Sequence, residues 1–174
     1  MKTILFFSLL AITFLDGFGQ NQYNIWYFGN RAGIDFNSGT ATLITNSSMQ
    51  SFEGTTMICD SAGEILFYSN GGKLLTGFGT FHGGVWNRDH QLMPNGNLDS
   101  TGGCNSSSQG CLIVPDPADD EAYYLFTVDC FENSYVGGFR YSKIDMALDG
   151  GLGDVTSKNV LILDTVTESI CGIK

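Results

Sequence analysis

Residues 54–63, Gly54-Thr55-Thr56-Met57-Ile58-Cys59-Asp60-Ser61-Ala62-Gly63, lead into the aromatic run Ile65-Leu66-Phe67-Tyr68. A short β-branched run, a turn rich in Asp, Ser and Gly and a second apolar run describe a tight antiparallel hairpin. Glycine supplies the φ > 0 position, and aspartate bonds to the backbone that follows it. The pattern returns 56 positions later as Gly110-Cys111-Leu112-Ile113-Val114-Pro115-Asp116-Pro117-Ala118-Asp119, ahead of Tyr123-Tyr124-Leu125-Phe126-Thr127. Unrelated hairpins also reuse Asp, Gly and Ser, but here the correspondence extends through strand, turn and strand, which favours a true repeat. A period in the fifties is close to one four-stranded propeller blade with its loops. A third unit begins near Glu168-Ser169-Ile170.

Working outward, the chain shows no sustained helical period. Apolar runs of strand length occur at residues 23–28, 33–36, 41–45, 55–59, 65–69, 111–114, 122–128, 138–145 and 158–163, bounded by Gly, Asn, Asp and Ser. Asn70-Gly71, Asn95-Gly96 and Asp149-Gly150 offer compact turns, and 23 glycines against three prolines suit a meandering β fold. Runs that are apolar throughout imply strands buried on both faces, as between stacked sheets. The expected fold is all-β, with antiparallel four-stranded blades in an incomplete β-propeller-like array: about three blades over residues 20–174. Closed propellers have about four to eight blades, and a bare terminal blade exposes an apolar face and a free edge. The expectation is therefore a truncated chain with further domains of the same polypeptide downstream.

Lys2 followed by an uncharged apolar run to Leu15, then Gly17 and Gly19 before Gln20, reads as a signal peptide over residues 1–19. The run is shorter than the roughly 20 residues needed to span a bilayer, so the mature chain is expected to be secreted or at the cell surface, without membrane insertion. A net charge of −10 excludes nucleic acid as a partner and disfavours anionic membranes. No cofactor is expected. Of five cysteines in an exported chain, Cys104 and Cys111 are near enough in sequence to staple the polar loop between them, or they are two buried thiols. The count is odd, which leaves one cysteine free or paired outside the chain.

Chemistry-bearing constellations are few. The two histidines, His82 and His90, have no GxSxG nucleophile turn to serve. Trp86, Asn87, Arg88 and His90 could hold a sugar or peptide through an aromatic face and nearby donors; the alternative is a Trp packed between strands with its neighbours closing the turn. Asp145, Asp149 and Asp154 lie on a glycine-rich stretch of the kind a calcium ion uses, though the spacing fits neither the EF-hand nor the nonapeptide repeat, and a plain Asp-Gly turn explains it as well. Asp116, Asp119, Asp120 and Glu121 crowd one hairpin tip, where mutual repulsion implies solvated carboxylates.

The stretches Ile25-Trp26-Tyr27-Phe28-Gly29, Ala32-Gly33-Ile34-Asp35-Phe36, Val85-Trp86-Asn87-Arg88, Met93-Pro94-Asn95-Gly96 and Gly150-Gly151-Leu152-Gly153-Asp154-Val155, with the two aromatic strands, resemble a known family. It is the N-terminal propeller-like region of large secreted or surface proteins of Bacteroidetes that carry a gliding-motility-associated C-terminal sorting domain for type IX secretion. Residues 74–84 form a longer segment than in that family, and its loop equivalent to residues 105–110 lacks flanking cysteines. The resemblance implies no catalytic residues. It implies a non-catalytic extracytoplasmic module of a surface, adhesion or gliding-associated protein, with a surface glycan or protein as partner. A carbohydrate-active or other hydrolytic propeller, or a glycan- or peptide-binding domain, is the alternative.

Overall fold

The computed structural model describes residues 21–76, 79–100 and 102–172; the signal peptide expected over residues 1–19 lies outside the described residues. The first sheet contains β1 (Ile25–Phe28), β2 (Ala32–Asp35) and β3 (Thr42–Ile44). The second begins with β4 (Thr56–Cys59) and β5 (Ile65–Ser69). A separate hairpin, β6 (Leu74–Thr76) and β7 (Gly79–Phe81), interrupts it before β8 (Gly84–Asn87) and β9 (Leu92–Asn97) complete the order β4-β5-β8-β9. The third is an uninterrupted meander of β10 (Cys111–Asp116), β11 (Asp119–Val128), β12 (Phe139–Asp145) and β13 (Asp154–Leu163). Among the described residues all strand pairs are antiparallel, and no sheet closes on itself.

The two sequence-matched hairpins are the first hairpins of the two four-stranded sheets. Both turn on the same device: Asp60 Oδ1 accepts from Ala62 N at 2.8 Å, and Asp116 Oδ1 from Ala118 N at 3.0 Å. The last hairpin of each of the three larger sheets uses it too. Asp35 accepts from Asn37 N, Asn87 from Asp89 N and Asp145 from Ala147 N. By that marker β1–β3 correspond to the last three strands of each meander.

The sheets are layered. Tyr27 of β1 and Tyr68 of β5 lie 4.8 Å apart between the first and second sheets, in a core with Ile25, Met49, Cys59 and Ile65. The opposite face of the second sheet carries Ile58, Phe67 and Val85, which form a second core with Cys111, Ile113, Leu125, Ile144 and Val155 of the third. Successive side chains on a strand point to opposite faces, so a middle layer must be apolar on both. That is why β4 and β5 read as continuous hydrophobic runs. At the seam, Ile113 N donates to Thr56 Oγ1 at 3.2 Å, and Asp154 accepts from the backbone and side-chain nitrogens of Asn95 at 2.8 and 2.6 Å.

Five sequence expectations are corrected. Residues 74–97, glycine-rich and passed over as strand, hold β6 to β9. Asn95-Gly96 lies within β9 rather than at a turn, and β13 starts at Asp154 rather than Lys158. Cys104 does not pair with Cys111: it forms a disulfide with Cys130, with Cα atoms 5.5 Å apart, while Cys111 is a buried thiol facing the second sheet. Proximity in sequence misleads because β10 carries Cys111 away from the loop, whereas the end of β11 brings Cys130 back to it. Asp116 is buried rather than solvated; its carboxylate pairs with Lys143 at 2.8 Å, which draws its pKa below the ordinary value.

Candidate functional site

The β8–β9 turn brings Trp86 and His90 onto one residue, Tyr68. Trp86 is half-buried and stacks on the Tyr68 ring at 5.7 Å. Asn87 is buried and makes the turn, its Oδ1 accepting from Asp89 N and Gln91 N, both at 3.0 Å. Arg88 reaches across to the third sheet, donating to Gly151 O at 2.9 Å. His90 has φ 60°, and its ring lies between the first and second sheets. Asn46 accepts the Tyr27 hydroxyl on its oxygen at 3.1 Å, so its amide nitrogen donates to His90 Nε2 at 2.9 Å. The proton of the neutral ring is then on Nδ1, 3.2 Å from the Tyr68 hydroxyl. Burial pushes the His90 pKa down against the opposing pull of Asp89. Burial likewise pushes Tyr27 up to about 12 and raises Tyr68. This network fastens the first sheet to the second.

Asp145, Asp149 and Asp154 do not gather their oxygens in one place. Asp145 holds its turn, Asp154 is engaged by Asn95 and by its neighbour Val155 N, and Asp149 is exposed at φ 50°. Among the described residues, one group of three His, Cys, Asp or Glu side chains has ligand atoms within 4.8 Å of one another. It is Cys104, Cys130 and Glu132, and two of those sulfurs are joined as a disulfide.

A different end of the molecule carries open space. Opposite the Asp-led turns, the connections β1–β2, β3–β4, β5–β8, β9–β10 and β11–β12 come together. Their backbones meet at glycines: a Cβ on Gly72 would lie 1.8 Å from Gly103 O, one on Gly103 2.3 Å from Gly71 O, and one on Gly137 2.5 Å from Gly102 O. Two clefts open here, one at each seam. The first, about 320 Å³, lies between the first and second sheets and is lined by Asn30, Gln50, Ser51, Phe52 and Phe81. Phe52 and Phe81 meet edge to face at 4.5 Å, and Gln50 Nε2 donates to Asn30 Oδ1 at 3.3 Å. The second, about 290 Å³, lies between the second and third sheets; Lys73, Asp99, Asp129, Asn133 and Gly137 are among its walls. Asp129 is buried and accepts from Gly137 N at 2.6 Å and Asn133 Nδ2 at 2.8 Å. Asp99 accepts from Gly83 N at 2.8 Å and pairs with His82 Nδ1 at 2.5 Å. The Cys104–Cys130 disulfide links the two connections behind this cleft.

With β1–β3 matched to the last three strands of a four-stranded sheet, each cleft is built from equivalent parts: the β1–β2 or β5–β8 connection of one sheet, the crossing to the next sheet, and the β5–β8 or β11–β12 connection of that sheet. None of the residues first singled out as ligand-binding or metal-binding lines either cleft. Four of the five Gly-Gly doublets, Gly71-Gly72, Gly83-Gly84, Gly102-Gly103 and Gly137-Gly138, lie at this end, where paired glycines permit close backbone approach; the fifth, Gly150-Gly151, is in the β12–β13 connection. Compared with known protein families, curated proteins and solved structures, the chain matches none. Among the described residues, no helix is long and apolar enough to cross a membrane.

Proposed function

We propose that the chain is a non-catalytic, extracytoplasmic β-propeller-type module of a surface, adhesion or gliding-associated protein. One observation carries the reading: the packing face of the second sheet recurs, uncovered by any sheet among the described residues, on the third. Aligning Gly54 with Gly110 places Thr56 and Ile58 on Leu112 and Val114. Through the strand register, Ser69 and Phe67 fall on Phe126 and Tyr124. Thr56, Ile58 and Phe67 bind the third sheet, whereas Leu112, Val114, Tyr124 and Phe126 are only half-buried, with Phe139 and Tyr141 beside them. A heterologous face of this kind is what a series of blades adds to, each blade burying its faces only against its neighbours.

Two further features support it. Gln109 and Ser169 form a parallel bridge, with Ile170 N donating to Gln109 O at 3.1 Å, so the segment beginning at Glu168 runs beside the start of β10 as β10 starts beside Gly54. On this reading further sheets of the same polypeptide cover the aromatic face. The disulfide fits an oxidising compartment. The hydrolytic alternative needs two carboxylates free to act across a cleft, and Asp99 and Asp129 are both held by backbone N–H groups.

The test is production from the full reading frame, leader included, in a Gram-negative host. The expected product lies outside the cytoplasm, begins within a few residues of Gln20, contains the Cys104–Cys130 bond, and is inert toward a panel of glycosides and esters. Retention in the cytoplasm, or turnover of any panel member, contradicts the proposal.

A further inference from the structure

We propose that the glycine-packed end of the stack binds an uncharged oligosaccharide, which lies across both seam clefts. The inference rests on reading the chain as a repeat module, because that reading makes the two clefts equivalent stations on one surface rather than unrelated hollows.

Sugar hydroxyls donate and accept at once, so their partners must offer both functions. The clefts do. Asn30 and Gln50 bring two amides to the first, and Asn133, the partly exposed carboxylate of Asp99 and the ammonium of Lys73 serve the second. Lys73 belongs to no ion pair among the described residues. The remaining requirement is an apolar wall for the C–H face of a pyranose ring, and the Phe52–Phe81 pair provides it, with Phe52 55% exposed. Phe131, 71% exposed, stands with Tyr135 on the β11–β12 connection at the same end.

Charge and shape narrow the class. Among the described residues Lys73 is the only cation lining either cleft, on a chain of net charge −10, which disfavours sialylated, sulfated or uronate chains. A peptide held in extended form takes its main-chain hydrogen bonds from a free strand edge. Apart from Phe81 at the end of β7, these clefts are lined by connections. Each is close to the lower end of the volume range of small-molecule sites, about 300 Å³, so two together suit a short chain better than one buried ligand. The disulfide and the glycine contacts hold the walls in place before a ligand arrives, which limits the ordering cost of binding.

The experiment is an array of neutral, sialylated and sulfated glycans, with immobilised random peptides alongside, probed with the secreted disulfide-bonded chain. We expect binding confined to neutral oligosaccharides. Affinity should fall at least tenfold in each of Phe81→Ala, Asn133→Ala and Lys73→Ala, all screened for unchanged melting temperature, and stay unchanged in Arg88→Ala at the opposite end. Lys73→Ala removes a side chain from the cleft rim, so it keeps the test decisive if Phe81→Ala does not fold. The inference is overturned by binding only to acidic glycans or peptides, by no binding at all, or by neutral-glycan binding that the cleft variants leave intact. Loss of binding by an exported, inert protein removes this inference and leaves the module reading standing. Release of reducing ends from a bound glycan does the reverse.

Discussion

Gly54 packs directly against Gly110, the residue that holds its own place in the next sheet. A Cβ on Gly54 would sit 2.6 Å from Ser107 O and 3.0 Å from Gly110 N; one on Gly110 would sit 2.4 Å from Ser107 Cβ. Neither glycine has a positive φ, so the requirement is for close approach and not for an unusual backbone conformation. Each of Gly54→Ala and Gly110→Ala should therefore lower stability by about 1–3 kcal/mol, the usual cost of overpacking. Urea unfolding of the two variants measures it, and a wild-type midpoint in either would count against the seam as described.

Thr56 presents its hydroxyl to Ile113 N across the same seam. Thr56→Val keeps the shape of the side chain but leaves a buried N–H without its partner. The expected loss is about 1–3 kcal/mol, read from the same unfolding curves.

Thiol chemistry separates the five cysteines. Cys59 and Cys111 are buried, with burial pushing their pKa values up to about 11 and about 12, and Cys171 is exposed. Folded protein should react with one equivalent of a thiol reagent at neutral pH and denatured, unreduced protein with three. Peptide mapping should recover Cys104 linked to Cys130. A Cys104–Cys111 peptide would contradict the fold around the second cleft.

His90 is held neutral between two sheets, its pKa below the ordinary 6.5 because burial disfavours the charged ring. The unfolded chain takes up this proton more readily than the folded one. Its contribution to stability is thus complete above about pH 6.5 and is lost as the pH falls through that value toward the lower folded pKa. His90→Asn tolerates the left-handed backbone of this position. The variant should be less stable at pH 7 by about 1–2 kcal/mol, from two lost hydrogen bonds, and should show a shallower decline between pH 7 and 5. Urea midpoints at the two pH values test this; parallel declines in wild type and variant would exclude His90 as the titrating group.

Much of the layering was legible in the chain. Asp60 and Asp116 announce their hairpins because an aspartate two residues before a free N–H is a local device, independent of what packs around it. The all-apolar runs at β4 and β5 announce a sheet buried on both faces. What the chain hides depends on long-range placement. β6 to β9 are masked by glycines that answer to neighbouring backbone, as at Gly83 and Gly84, rather than to local turns. The Cys104–Cys130 pairing depends on where β11 ends. Trp86 reads in sequence either as a platform for a sugar or as a Trp packed between strands, and only the placement of Tyr68, on which its ring is stacked, decides between them. Each cleft draws Phe52 and Phe81, or Lys73, Asp99 and Asp129, from separate connections, so no motif joins them.

The order of the layers is the claim on which the rest depends, and inter-residue NOEs in the secreted protein test it most directly. The account predicts that the Phe67 ring contacts Tyr123, 5.4 Å away on the third sheet, while Tyr68, its neighbour on β5, contacts Tyr27 of the first. NOEs from Phe67 to Tyr27, or from Tyr68 to Tyr123, would reverse the faces of the second sheet and contradict the repeat.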